Sequence, residues 1–371
     1  MIKFIKKNPA IPQRWIVLTA LAYSLTAAQA QTPQAEKAFI KENMEFATKQ
    51  YSLMMQTPAQ GKNGKAIMPH SIRKDGTPSK GSIYLWTAGF FPGTLWYLSN
   101  YTGDKALQDS ALVYTHQMEP AKTFTDNHDI GFMMYCSYGN ANRFAPKDEY
   151  EDILVESARS LCTRFRPQAK VIQSWNGFRS WHGDKVYDFP VIIDNMMNLE
   201  LLFHASKVTG DESFRKVAIS HAEQVMHHQV RKDYSCFHII YYDKKTGKPI
   251  KGETSQGYSD NSAWSRGQAW GIYGFTMCYR ETKDKRFLKT AEKMADFYLD
   301  HPNLPSDKVA WWDFNAFQEG YTPGIRSNAC KMVNNYRDAS AAACVASALL
   351  ELSTYSKGSK SKKYLESAKQ I

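Results

Sequence analysis

Two aspartates stand just ahead of apolar, helix-like segments and are the first candidates for acid–base chemistry. Asp129 precedes IGFMMYCSYG, and Asp194 precedes NMMNLELL. Each could be only an N-cap, accepting a hydrogen bond from first-turn N–H groups, which stabilises a helix by ~1 kcal/mol. If the two carboxyls instead face each other across a cleft, each charge raises the pKa of the other, and one can act as a general acid near neutral pH. Both interpretations are open at this point.

Aromatic and cationic side chains at helical spacing are candidates for binding a ring-shaped polar ligand. Arg266 and Trp270 are four residues apart, as are Trp86 and Phe90, so each pair would share one helical face. A guanidinium fork and a flat ring suit a sugar. Core packing is the alternative for the three aromatic residues. Arg266 enters an apolar helix, where an arginine needs a partner.

Other kinds of chemistry find little support. His238 lies on a predicted strand, where a buried core histidine is the alternative to a site residue. His221, His227 and His228 match no metal-ligand spacing, and HExxH is absent, so we expect no metal. GxSxG, P-loop and GxGxxG motifs are also absent, and we expect no cofactor. The six cysteines form no CxxC pair and mostly lie in apolar segments, which favours buried thiols over a disulfide.

The elements that must position these residues repeat along the chain as helical hairpins. The clearest hairpin turns centre on Asp104, Asp211 and Asp284, and weaker copies surround Asp148 and Gly358. In each unit the first helix is apolar nearly all round and the second has a polar face, which predicts an inner and an outer ring of helices. With a further helix at 36–56 there are eleven helices, one short of an all-α (α/α)6 barrel.

One segment departs from the helical pattern. YSCFHIIYYD at 234–243, followed by a KKTGKP turn, predicts a β-hairpin inserted before the next inner helix. The polar and aromatic candidates lie at the N-terminal ends of predicted inner helices. In a toroid these ends would converge on one cleft.

Composition and charge exclude several classes of protein. The 371 residues are 43% hydrophobic and 22% charged, which is typical of a globular fold. The net charge of +11 favours an anionic partner. Because the basic residues are dispersed and no nucleic-acid-binding motif is present, we expect an acidic saccharide and no nucleic acid. No segment after residue 30 reaches the ~18 consecutive apolar residues of a transmembrane helix, so we expect no membrane partner.

Residues 1–30 have the pattern of a secretory signal peptide. Basic residues precede an apolar run from Trp15 to Leu25, and Ala28-Gln29-Ala30 is a small-x-small cleavage site. We therefore expect an exported protein, located in the bacterial periplasm, with a single domain at 31–371.

Five motifs together resemble the unsaturated glucuronyl hydrolases of glycoside hydrolase family 88. They are HDIGF, VIIDNMMNLELL, the SxFHII strand, YSDNSAWSRGQAWGIYGF and RDASAAACVASALLEL. The resemblance implies an (α/α)6 barrel that binds an unsaturated acidic oligosaccharide. It also implies the activity: removal of the 4,5-unsaturated uronic acid from the non-reducing end of lyase-generated glycosaminoglycan fragments by hydration of a vinyl ether.

The resemblance also implies roles for single residues. Asp194 matches the family's general acid/base, and Asp129 matches its second essential carboxylate. The remaining matches are expected to contact the sugar: His238, Gln256, Arg266, Trp270, Trp86 and Trp175, the last preferred over Trp181.

The chain departs from the family at its C-terminal end. Family members continue to a closing helix that starts with a Gly-Asp-Tyr-Tyr pattern, whereas this chain ends at YLESAKQI, so we expect a truncated barrel without that helix. Three other functions stay open as alternatives. They are an unsaturated rhamnogalacturonyl hydrolase acting on pectin fragments, an inverting glycosidase with carboxyls about 6.5 to 9.5 Å apart, and a non-catalytic saccharide-binding remnant.

Overall fold

The computed structural model describes residues 33–56 and 67–371, and the chain divides into two units, Met1–Leu53 and Met54–Ile371. Helix α1 (Pro33–Met54) accounts for the described part of the first unit. It confirms the helix predicted at 36–56, with slightly earlier bounds. The predicted signal peptide lies outside the described residues.

The second unit is built from five consecutive helical hairpins. They are α2 (Phe90–Thr102) with α3 (Lys105–Gln117), α4 (130–144) with α5 (Asp148–Cys162), α6 (Leu199–Thr209) with α7 (Glu212–His228), α8 (Ser265–Thr282) with α9 (Lys285–Asp300), and α10 (Ala339–Tyr355) with α11 (Ser359–Gln370). Helix α4 is α-helical at both ends and has one π-helical turn, Tyr135–Gly139, in its middle. With α1, the described residues form the eleven helices predicted from the sequence.

The aspartates predicted at the three clearest hairpin turns are N-caps. Asp104, Asp211 and Asp284 each accept a hydrogen bond of 2.8 Å from the N–H two residues further on. The residue before each aspartate is left-handed, at Gly103, Gly210 and Lys283. The same short turn therefore ends one helix and begins the next. The weaker copy at Asp148 differs, because Asp148 is the first residue of α5 and Lys147 takes the N-cap position.

Short antiparallel sheets lie before the first hairpin and between later ones. The two-stranded sheets are β1 (Met68–Ile72) with β2 (Pro78–Gly81), β3 (Phe165–Arg166) with β4 (Val171–Ile172), and β5 (Phe178–Arg179) with β6 (Val186–Tyr187). A three-stranded sheet has the order β7 (Pro190–Ile192), β8 (Ile239–Tyr242), β9 (Pro249–Glu253). Strands β8 and β9 are the predicted hairpin, whereas β7 was not predicted.

Two further expectations can be compared with the fold. None of the described helices combines the length and the apolar character needed to cross a membrane. All six cysteines are free. Cys330 is exposed, so the expectation of a buried thiol is wrong there. It lies in a 3-10 turn, Asn328–Lys331, rather than in an apolar helix.

Candidate active site

Asp194 lies in a 3-10 helix, Ile193–Asn198, that connects β7 to α6. This turn packs against α8 at Gly274, where a Cβ atom would lie only 2.4 Å from the Cβ of Met196. The Asp194 side chain caps no helix among the described residues, so the N-cap interpretation is wrong for it. Burial raises the pKa of this carboxyl to about 7, although the positive charge of Arg266 acts in the opposite direction.

Pairing of β7 with β8 brings His238 against Asp194. The His238 carbonyl accepts a hydrogen bond of 3.0 Å from the N–H of Ile193. The backbone N–H groups of Ser255 and Gln256 donate to His238 Nδ1 at 2.9 and 3.2 Å. The ring proton must then be on Nε2, which lies 3.6 Å from Asp194 Oδ2. Burial lowers the pKa of His238 to about 3, so the ring is neutral and presents an N–H to the carboxyl.

Asp129 occupies the N-cap position of α4, yet its side chain makes no capping hydrogen bond within the described residues. Its own N–H donates to the Asn127 side chain at 2.8 Å. His128 Nε2 lies 3.4 Å from Asp129 Oδ1. Burial, and then the charge of Asp194, raise the pKa of Asp129 to about 7, while Arg164 acts to lower it. Of the two interpretations of the aspartates, the structure supports an interacting carboxyl pair.

Asn198 ties the turns that carry the two carboxyls together. Its Oδ1 accepts a hydrogen bond of 2.8 Å from the N–H of Phe132, in the first turn of α4, and so supplies the cap that Asp129 does not. The contact needs glycine at position 131, because a Cβ on Gly131 would lie 2.5 Å from Asn198 Oδ1. The HDIGF and DNMMN motifs therefore fold as one unit.

Arg266 lies in the first turn of α8 and has the partner that its setting requires. Its Nη1 is 3.0 Å from Asp338 Oδ2, and its Nη2 donates to Gln256 Oε1 at 3.4 Å. The guanidinium also lies 5.1 Å from the centre of the Trp264 ring. Asp338 in turn caps α10 by accepting from the N–H of Ala341 at 2.8 Å. Arg266 is thus held between the N-terminal ends of two inner helices.

Trp86 and Trp270 belong to one aromatic cluster through Phe132. The Phe132 ring centre is 5.4 Å from that of Trp86 and 5.5 Å from that of Trp270. The prediction that Trp86 and Phe90 share a helical face is wrong, because α2 begins at Phe90 and Trp86 lies in the turn before it. Their rings are still in edge contact at 5.9 Å. Trp270 is buried, and Trp86 is half-buried.

The two candidate tryptophans ahead of Asp194 have different surroundings. Trp175 contacts the His238 ring, with centres 6.3 Å apart. Trp181 instead lines a cleft of about 410 Å³ that contains Gln256 and Arg266. The other cleft walls include Trp312, Asn328, Met332, Tyr336 and Asp338.

Several residues of the site were missed in the sequence. His128 and Phe132 lie within the HDIGF motif, and Asp338 lies in RDASAAAC just before an apolar helix, so each had a local signal. Asn198 also lies within a quoted motif, VIIDNMMNLELL, although its partner Phe132 is 66 residues away. Arg164 had no such signal, because it lies outside the motifs and Thr125 is 39 residues away.

One group of described side chains has the spacing of a metal site. Ligand atoms of His182, Glu253 and Asp260 lie within 4.8 Å of one another. Glu253 is already neutralised by the Lys251 ammonium at 2.5 Å, and it accepts a hydrogen bond from Ser180 at 2.6 Å. His182 Nε2 is 2.8 Å from Asp260 Oδ2. These contacts indicate a structural network that holds the β5–β6 hairpin.

Comparison with known proteins identifies the family of the chain. Residues 65–370 match Glycosyl Hydrolase Family 88. An unsaturated glucuronyl hydrolase from Formosa agariphila is 44% identical over 307 residues, which is 82% of this chain and 70% of that protein. An unsaturated chondroitin disaccharide hydrolase from Streptococcus pyogenes is 34% identical over 286 residues, covering 74% of this chain and 66% of that protein.

A solved structure is also similar. It is an unsaturated glucuronyl hydrolase specific for heparin, with a TM-score of 0.79 and 41% identity, covering 90% of this chain and 83% of that one. The predicted fold class, an all-α (α/α)6 barrel, is confirmed by this likeness.

Proposed function

Since the chain belongs to glycoside hydrolase family 88, we propose that it removes the 4,5-unsaturated uronic acid from the non-reducing end of lyase-generated glycosaminoglycan oligosaccharides. The observation that carries this proposal is the Asp194 carboxyl. It is buried, its pKa is raised to about 7, a neutral histidine N–H lies against it, and its charge acts on a second carboxyl, Asp129. A carboxyl of this kind holds a proton at neutral pH and can deliver it.

The substrate contains a vinyl ether, with the C4=C5 double bond next to the ring oxygen. Transfer of the Asp194 proton to C4 leaves an oxocarbenium-like centre at C5. The resulting Asp194 carboxylate then takes a proton from a water molecule as that water adds to C5. The hemiketal formed in this way opens, and the glycosidic bond is lost by rearrangement. No enzyme nucleophile takes part in these steps.

The surrounding side chains have matching roles in this proposal. His238, fixed by two backbone N–H groups, directs Nε2–H toward Asp194 and the incoming water. Arg266 and Gln256 present donors to the polar groups of the sugar from the cleft wall. Trp175, against the His238 ring, and Trp86 and Trp270, which both contact Phe132, supply flat apolar surfaces for the sugar.

The test uses the purified protein and an unsaturated glycosaminoglycan disaccharide. We expect the absorbance of the C4=C5 bond to disappear with turnover, and the saturated disaccharide to stay intact. Cleavage of the saturated compound would instead indicate an inverting glycosidase. A preference for unsaturated rhamnogalacturonyl disaccharides would move the substrate class to pectin, and binding without turnover would indicate a saccharide-binding protein.

We also propose that the protein is exported to the periplasm and cleaved after Ala30, leaving a domain at 31–371. The basic start, the apolar run and the Ala-Gln-Ala site support this proposal. A positively charged exported enzyme also suits an acidic oligosaccharide substrate. N-terminal sequencing of the protein recovered from a periplasmic extract should begin at Gln31. An intact Met1 in the cytoplasmic fraction would contradict export.

A further inference from the structure

Arg164 is a buried cation that has no acidic hydrogen-bond partner in the described part of the chain. The residue is 3% exposed. Its Nε donates to the Gln173 carbonyl at 2.8 Å, and its Nη1 donates to the Thr125 carbonyl at 2.5 Å. Both Nη atoms donate to Asn176 Oδ1, at 3.1 and 3.2 Å. All of these acceptors are neutral, so the hydrogen bonds satisfy the donors without cancelling the charge.

The same contacts fix the loop that presents Asp129. Thr125 lies four residues before Asp129 in the chain. The Ser174 carbonyl accepts from the N–H of His128 at 3.1 Å and also from Arg164 Nη2 at 3.4 Å. The guanidinium therefore joins the segment ahead of Asp129 to the segment around residues 173–176, and the position of Asp129 depends on this joint.

The charged surroundings single out Asp129 as the buried counter-charge of Arg164. The other charges that act on Arg164 are Arg166 and Asp126. Arg166 repels it, and Asp126 is exposed, so its charge is screened by solvent. The charged or titratable groups that act on Asp129 include Asp194, His128 and Arg164. Because burial lowers the pKa of His128 to about 3, that ring is neutral, and Arg164 is the positive charge that acts on the Asp129 carboxyl.

We propose that Arg164 is a positioning residue that decides which of the two carboxyls holds the proton. It fixes Asp129 beside Asp194 and favours the ionised form of Asp129, which leaves the proton on Asp194. Asp194 also has an arginine nearby, but Arg266 is shared with Asp338 and is partly open to solvent. The kinetic consequence of this assignment rests on the proposed function, whereas the ionisation order does not.

The test measures ionisation directly, by ¹³C NMR of carboxyl-labelled aspartate across a pH titration. The Asp129 and Asp194 signals are assigned from the resonances missing in Asp129→Asn and Asp194→Asn. In the wild type we expect Asp129 to ionise at lower pH than Asp194. In Arg164→Gln, which keeps a neutral donor, the Asp129 titration should move up by about one pH unit. Arg164→Lys keeps the positive charge but not the planar guanidinium with its several donors. It should leave the order in which Asp129 and Asp194 ionise unchanged.

The kinetic arm uses the same variants on an unsaturated disaccharide. We expect the acidic limb of the kcat profile to move to higher pH in Arg164→Gln but to stay in place in Arg164→Lys, with kcat lowered in both. Arg159→Met removes an exposed charge from α5, which ends just before Arg164 in the chain, and should shift neither limb. If the acidic limb of the kcat profile lies at the same pH in Arg164→Gln and in the wild type, the proposal is wrong.

Two further results are decisive if a variant does not fold or the enzyme is inactive. Ionisation of Asp194 before Asp129 in the wild type overturns the proposal without any variant. If the wild type turns over no unsaturated disaccharide, the proposed function fails, and the NMR order still decides the role of Arg164.

Discussion

The turns that carry Asp194 and Asp129 are equally closed to solvent but differ in what surrounds them. The two aspartate side chains are 13% and 15% exposed, and burial raises both pKa values. Asp194 follows a strand and faces the neutral His238 N–H. Asp129 ends a polar loop organised by Arg164. Burial alone therefore does not distinguish the carboxyls, and the proposed roles, one as proton donor and the other as charge, rest on the difference in their polar neighbours.

The largest effect is expected at the proton donor. Asp194→Asn keeps the size of the side chain but cannot deliver a proton. We expect kcat to fall by ~10² to 10⁴, with substrate affinity largely kept, as for loss of a general acid. Initial rates from C4=C5 absorbance, together with a binding isotherm for the intact substrate, measure the two quantities. A variant that retains more than about a tenth of the wild-type kcat would remove Asp194 from this role.

Asp129→Asn examines the other half of the pair. In the proposed mechanism the active form has one proton on the carboxyl pair, so we expect protonation of Asp129 to cause the acidic limb and ionisation of Asp194 to cause the basic limb. Without the negative charge at position 129 the acidic limb should disappear. The pKa of Asp194 should fall, which moves the basic limb to lower pH. A fall of one unit in the pKa of Asp194 lowers its protonated fraction by at most about tenfold, so we expect kcat to drop about five- to tenfold near neutral pH.

The pH profile of Asp129→Asn also decides against the simpler role. If Asp129 served only as an N-cap, asparagine would cap equally well, and both the rate and the profile would be unchanged. The absence of a capping hydrogen bond from Asp129 within the described residues makes that result unexpected.

A smaller effect is expected at Asn198, which joins the two turns. Asn198→Ala leaves the buried N–H of Phe132 without its acceptor, which costs about 1 to 3 kcal/mol of folding free energy. The carboxyls can then move apart, so the two pH limbs should come closer together as their repulsion weakens. Thermal melts and pH–rate profiles measure these changes.

The matched control is Asn142→Ala, on the half-buried side of α4, where the amide only approaches Glu151 at 3.4 Å. It should change stability by less than about 0.5 kcal/mol. If Asn198→Ala shifts neither limb of the pH–rate profile and leaves the melting temperature unchanged, the two turns are held in place independently.

The comparison of the two turns also shows what could be predicted from the sequence. The hairpin helices and the β8–β9 hairpin depend on local patterns of apolar residues and on capping aspartates, and they were predicted. Strand β7 was not, because PVIID continues directly into the apolar NMMNLELL segment, and only pairing with β8 makes it extended. The 3-10 turn at Asp194 was missed for the same reason.

The candidate site was predictable where its residues have sequence-local roles or belong to recognisable motifs. Arg266 was identified as needing a partner, but Asp338 could not be chosen, since it lies 72 residues away. The N-cap interpretation of Asp129 failed because the cap of α4 comes from Asn198, which is 66 residues away. Non-local hydrogen bonds thus account for most of what sequence patterns did not show.

The smallest effect is expected at an aspartate that precedes a helix and does cap it. Asp104 accepts a hydrogen bond from the N–H of Ala106 at 2.8 Å, on the surface turn between α2 and α3. Asp104→Ala should cost about 1 kcal/mol of folding free energy, which lowers the melting temperature by ~2 °C in a domain of this size, with kcat and both pH limbs unchanged. Asp104→Asn should keep the wild-type melting temperature, because asparagine caps a helix equally well. The same pair of substitutions thus separates a structural aspartate from a catalytic one: at Asp104 asparagine rescues, whereas at Asp129 and Asp194 it does not. If Asp104→Asn lost as much activity as Asp129→Asn, the loss of activity would not distinguish an aspartate that caps a helix from one that takes part in catalysis. The assignment of Asp129 and Asp194 as a catalytic pair would then be wrong.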